Sequence, residues 1–140
     1  MNAPTYTTDI LRLAASLAPP TALEHEDGRA ELRSPTCGSS IRTMVTVDGE
    51  GRVVALSQDV RACAFGQASA ALVGRDAAGR TGAEIAIALG ELADWLGGTR
   101  ADPGRWPGLS ALAPARSKTG RHGAIMLPFR ALLAALDDAR

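Results

Sequence analysis

The sequence has little of what staples, charges or stacks a small protein. Two of its 140 residues are cysteine, Cys37 and Cys63. Two are too few to hold a chain of this length by disulfides. In a reducing compartment they are buried small residues, metal ligands or reactive thiols. Lysine is almost absent, Lys118 being the only one, and arginine supplies nearly all the positive charge. There is no excess of either sign: 15 Lys+Arg stand against 15 Asp+Glu. A protein built mainly to bind nucleic acid or an acidic membrane surface carries a basic surplus, so neither is expected as a partner. Aromatic residues make up 4% of the chain, so aliphatic residues and alanine must fill the core. No run reaches the roughly 18 apolar residues of a membrane span. The opening MNAPTYTTDI has neither a basic region nor a long apolar run, so no secretory signal is expected and the reading places the protein in the cytoplasm.

What is present suits one domain over residues 1–140. The hydrophobic fraction is 46%, ordinary for a globular chain. Ile10, Leu13 and Leu17 recur at helical spacing and predict a helix over residues 7–18, stopped by Pro19 and Pro20. The polar stretch 21–28 reads as a loop. Strands are predicted over 29–34, 41–47 and 52–58. In the second, Ile41, Thr43, Val45 and Val47 share one face, and Asp48-Gly49-Glu50-Gly51 marks a hairpin turn before the third.

Helices dominate the remainder. Residues 63–73 are rich in alanine. Thr81 and Glu84 fit a capping box ahead of a helix with Ile85, Leu89, Leu92 and Leu96 on one stripe, ended by Gly97-Gly98. Residues 99–107 form a Pro/Gly loop, Leu109 to Leu112 about one helical turn, and a last helix is expected to start near Pro128 and to bury Phe129, Leu132, Leu133 and Leu136. The fold class expected is α+β: a three-stranded antiparallel meander with helices packed mainly on one face.

Few residues are candidates for chemistry. Cys37 sits in a Pro-x-Cys-Gly loop between strands, where Gly38 permits a positive φ beside the sulfur. Cys63 stands at a predicted helix N-terminus, and that end of a helix favours the thiolate that binds metal or attacks sulfur. As a lone feature it reads equally as a small residue packed under the helix. His122 lies in a glycine loop, and only the fold could bring it near the cysteines. His25, among Glu24, Glu26 and Asp27, reads as solvated. No C-x-x-C and no histidine pair marks a zinc site.

Taken in order, these segments resemble the iron–sulfur cluster scaffold family of the SufU, IscU and NifU N-terminal type. Ser34-Pro35-Thr36-Cys37-Gly38 is similar to that family's Asn-Pro-x-Cys-Gly-Asp loop. Residues 62–70, from Ala62-Cys63-Ala64 to Ala68-Ser69-Ala70, resemble its Gly-Cys-Ala-Ile-Ser-x-Ala-Ser stretch. Ala113-Pro114-Ala115-Arg116 resembles the Pro-x-Arg before the family's third cysteine, and His122 to Leu133 the segment around it. The long stretch between Cys63 and that third position is similar to the Suf branch, whose insertion would correspond to residues 99–107 and their flanks.

The resemblance implies the SufU/IscU-like α+β fold and a site holding zinc, iron or a nascent iron–sulfur cluster. It also shows departures. Ser39 stands where the family has its aspartate ligand, and the third cysteine is replaced by Gly123 or Ala124, depending on the alignment. The implied ligands are Cys37, Cys63, His122 and, more weakly, Ser39 or a water. The implied role is that of a cluster scaffold or sulfur acceptor served by a cysteine desulfurase. The alternative is a non-metal regulatory module that docks a desulfurase or another assembly partner. A thiol enzyme using Cys63 with His122 as base is the third reading.

Overall fold

The computed structural model describes residues 6–35 and 38–140. Three strands, β1 (Gly28–Arg33), β2 (Ser40–Val47) and β3 (Val53–Arg61), form one antiparallel sheet in the order β1-β2-β3, the meander expected. Four α-helices accompany it among the described residues: α1 (Thr8–Ala15), α2 (Ala64–Asp76), α3 (Gly82–Leu96) and α4 (His122–Asp138). Between α3 and α4 lie two 3₁₀ helices, Leu109–Ala115 and Thr119–Arg121.

The strands form where β-branched residues alternate. On β2, Ile41, Thr43 and Val45 are buried, while Arg42 between them is exposed. Asp48 shapes the turn to β3 by accepting the amides of Glu50 and Arg52, each at 2.9 Å. The inward side chains meet α4, which packs on β1 and β2, and α2, which packs on β3; α1 lies against α2, and α3 against α4. The opposite face of the sheet is not bare. Ser57 points away from the helices yet is buried, and its hydroxyl oxygen accepts the Thr21 amide at 2.9 Å from the segment that follows α1.

Local chemistry explains most helix boundaries. Thr7 caps α1 by accepting the Ile10 amide at 3.2 Å. The helix ends at Ala15, short of the expected residue 18, because a residue before proline is driven out of the helical region and the chain has already turned by Pro19. The capping box of α3 is formed in both directions, Thr81 with the Glu84 amide and Glu84 with the Thr81 amide, each at 3.2 Å.

Two boundaries depart from expectation in ways that matter for the site. Strand β3 continues three residues beyond 58, with Asp59, Val60 and Arg61 paired to Arg42, Ile41 and Ser40. The last helix begins at His122, not near Pro128, which lies inside it. A proline there has no N–H, so the Ala124 carbonyl loses its helical donor. The turn is held instead from outside: the buried Ser69 hydroxyl of α2 donates to the Ile125 carbonyl at 2.6 Å. Phe129, Leu132 and Leu136 are buried as expected, Leu133 only in part.

Candidate functional site

Register brings Ser39 and Cys63 to one end of the sheet. Ser40, the first residue of β2, pairs with Arg33 of β1 on one side and Arg61 of β3 on the other. The β1–β2 connection, residues 34–39, and the segment Ala62-Cys63 therefore leave the sheet at the same edge. The connection is closed by the Ser34 amide donating to the Ser39 carbonyl at 2.8 Å. Gly38 takes φ 72°, the left-handed conformation expected of it, with open space where a side chain would stand. Cys37 itself, with Thr36, lies outside the described residues.

Cys63 is the N-cap of α2, with extended backbone (φ −66°, ψ 173°) and a half-buried side chain. Its carbonyl accepts the Gln67 amide at 3.0 Å, but its side chain makes no capping hydrogen bond. The amides of a first helical turn have no partner within the helix, so they point partial positive charge toward the N-cap position. Gln67 steadies the preceding residue by donating to the Ala62 carbonyl at 2.9 Å.

The start of α4 closes on this turn. A Cβ placed on Gly66 would lie 2.6 Å from the Cβ of Ala62 and 3.3 Å from the Ala124 carbonyl oxygen, so only glycine allows this approach. Ala124 is fully buried against Gly66, three residues along from Cys63, whereas Gly123 is half-buried. Beneath them Leu127 and Ala131 pack on Ile41, with Leu32 and Val60 alongside, the three strand residues being in register.

His122, the first residue of α4, turns its Nε2 toward two backbone carbonyls, Ala115 at 2.9 Å and Arg116 at 3.1 Å. Carbonyl oxygens only accept, so Nε2 carries the proton and the neutral ring keeps its lone pair on Nδ1. That is the tautomer in which a histidine ligates through one nitrogen while the other is held from behind. Ser39 is buried at the edge of β2, ahead of Ser40. Among the described residues no three His, Cys, Asp or Glu side chains converge on a metal-sized space.

Two sequence candidates take other places. His25 pairs with Asp27 at 2.7 Å and is well exposed, the solvated role expected. Its carbonyl accepts the Thr46 hydroxyl near the far end of β2. Arg116, in the Pro-x-Arg segment, holds the fold together: its Nε donates to the Trp95 carbonyl at 3.0 Å and its guanidinium lies over the Trp95 ring. Gly66 and Ser69, which dock α4 beside the thiol, were not singled out as site residues. Their signal was present, since Gly66, Ser69 and Ala70 put small residues three and four apart on one face of α2.

An antiparallel meander with helices packed against it is the fold that this chain shares with NifU- and SufU-type structures. The crystal structure of the N-terminal part of a nitrogen-fixing NifU-like protein from Brucella abortus superposes with a TM-score of 0.86 at 27% identity, over 95% of this chain and 92% of that one. A proposed iron–sulfur cluster assembly scaffold protein for the SUF system from the thermophile Fervidobacterium islandicum AW-1 superposes with a TM-score of 0.77 at 20% identity, over 94% and 96% of the two chains, and shows the shared fold. No family model and no curated protein matches the sequence. The resemblance read from the sequence thus holds in three dimensions. Among the described residues no helix is long and apolar enough to cross a membrane.

Proposed function

We propose that the chain, as one NifU N-terminal/SufU-like domain over residues 1–140, is an iron–sulfur cluster assembly scaffold or sulfur acceptor. It would receive iron, zinc or a nascent cluster as cargo. The observation that carries the reading is the register at Ser40, which sends the Cys37-bearing connection and the Cys63 segment off the same edge of the sheet, beside the start of α4. Cys37 and Cys63 are the thiolate ligands, since iron and zinc are thiophilic. His122 is the third donor, through Nδ1. Ser39 is the weakest candidate, a hydroxyl in place of a carboxylate. As an acceptor, one thiolate would attack the terminal sulfur of a persulfide on a cysteine desulfurase. The S–S bond breaks, the donor leaves as a thiolate and the persulfide forms on this chain without net oxidation.

Ala124 takes the third cysteine's position in this reading, rather than Gly123, because it is the residue packed on the first turn of α2. Its apolar burial also favours the second reading, a non-metal module that docks a desulfurase or another assembly protein.

Zinc titration against a competing chelator, on protein purified without a tag, separates the two. Changes in a metal site's supporting shell alone cost about 10–100-fold in affinity, so Cys37→Ser and Cys63→Ser should each cost at least that. Ala124→Cys should tighten binding and Gly123→Cys should not. No metal in the wild type, and none gained by Ala124→Cys in a folded variant, would leave the docking module as the function.

A further inference from the structure

The outer face of the sheet carries its charges in rows, because residues in register share a face. One row reads Glu31–Arg42–Asp59, a base between two acids, with Arg42 and Asp59 in contact at 3.9 Å. The next row, at the edge that leads to Cys63, reads Arg33–Ser40–Arg61, two bases and no acid. Adjacent strands lie about 4.8 Å apart, so the Arg33 and Arg61 backbones are only about 10 Å from each other. Both side chains are exposed, and neither has an ion pair or hydrogen bond among the described residues.

What sets this row apart is that register puts two bases side by side next to the Cys63 segment. Arg29, Arg52, Arg100, Arg105 and Arg140 have acidic partners, whereas Arg12 and Arg75, at the far end of α2, have none among the described residues and are not set in register beside a thiol. Charge on an edge strand discourages unwanted pairing, but Glu31 and Asp59 supply that already without leaving like charges side by side. Uncompensated bases on one face repel each other and add nothing to the fold.

We infer that the Arg33–Arg61 row is a docking surface for an acidic segment of a protein partner that approaches the Cys63 edge. Complementary charge of this kind raises association rates and fixes orientation more than it raises affinity. The inference rests on the scaffold reading only in requiring that a protein come to the thiol, and it deepens that reading by giving the partner's chemistry.

A fluorescein-labelled oligoglutamate peptide is the probe, followed by anisotropy on the full chain. Binding should be seen at about 20 mM salt and be largely lost by about 200 mM, as the screening length shrinks from about 20 to about 7 Å. Arg33→Glu with Arg61→Glu should weaken it about tenfold or more. Arg12→Glu with Arg75→Glu makes the same change in net charge at the far end of α2, about 18 Å along the helix from Cys63, and should alter binding less than twofold. Thermal melts check folding, and the gentler Arg33→Gln with Arg61→Gln should still weaken binding several-fold if the glutamate pair unfolds the sheet. Equal losses in both pairs, no peptide binding by the wild type, or tighter binding of a mixed-sequence DNA duplex than of the peptide would each overturn the inference. Zinc titration of the same samples keeps the two proposals apart. Metal held without peptide binding removes the docking surface alone, and peptide bound without metal removes the scaffold reading alone.

Discussion

The two ends of α2 are put to different uses. Near its C-terminal end the Leu72 carbonyl accepts the indole N–H of Trp106 at 3.0 Å. Trp106 is buried edge-on against Phe129, 5.2 Å between ring centroids, with the Arg80 guanidinium 4.6 Å over its face. The indole hydrogen bond and the stacked guanidinium tie residues 99–107, the stretch that resembles the Suf-branch insertion, into the core. At the N-terminal end Cys63 stands half-exposed, its thiol uncommitted to any cap, with glycine and alanine as its packed neighbours. One end of the helix serves stability. The other leaves its thiol and the amides of its first turn without a side-chain cap, as the proposed cargo site would require.

Mutation should separate the two ends sharply. Trp106→Ala removes the largest fully buried side chain and leaves the Leu72 carbonyl without its second donor. A loss of about 3–5 kcal/mol in equilibrium urea unfolding is expected. A loss below about 1 kcal/mol would mean that the loop folds down without its tryptophan and that the contrast between the ends is false.

Cys63→Ser should act in the opposite sense. Serine is among the best N-cap residues, and its hydroxyl can accept an amide of the first turn that the thiol leaves alone. In chelator-treated protein the variant should be as stable as the wild type or more stable, by up to about 1 kcal/mol, while losing zinc affinity. Clear destabilisation in the absence of metal would make Cys63 a packing residue like those at the other end.

Much of this contrast was legible in the sequence. The meander, the Asp48–Gly51 turn, the Thr81 capping box and the place of Cys63 at the start of α2 follow from local patterns, where each residue's preference agrees with its surroundings. What escaped was set by contacts distant in sequence. Pro128 looked like a helix start because proline suits the first turn; it sits inside α4, in a turn that Ser69, far earlier in the chain, bonds at the Ile125 carbonyl. The third strand was expected to end at residue 58; pairing of Asp59, Val60 and Arg61 with β2 carries β3 on to the edge of the site. The candidate site was legible as residue types more than as geometry. No spacing could foretell that His122 would give Nε2 to two carbonyls, or that Ala124 would be the residue resting on Gly66. Arg33 and Arg61 could not be read as a pair until register placed Ser40 between them.

The smallest expected effect concerns the second anchor of residues 99–107. Glu91 on α3 accepts from the Arg105 side chain at 2.9 Å and its amide at 3.2 Å, and meets Arg100 at 3.3 Å. The hydrogen bonds from Arg105, the side-chain bond foremost, hold the Glu91 carboxyl below its ordinary value of 4.5. A carboxyl whose folded pKa is lowered binds fewer protons in the folded state than in the unfolded one. Its pairing therefore adds stability above the unfolded value and loses it as pH falls through the folded one. Glu91→Gln should remove that dependence. Its melting temperature should lie below the wild type's at pH 7, and the difference should shrink steadily as pH drops below about 4.3, the ordinary glutamate range. The pair is accessible to salt, so the gap at pH 7 should also narrow as ionic strength rises. Parallel melting curves for the two proteins across that range would show that Trp106 alone holds the loop and that the arginine clamp on Glu91 contributes nothing to the stable end of the comparison.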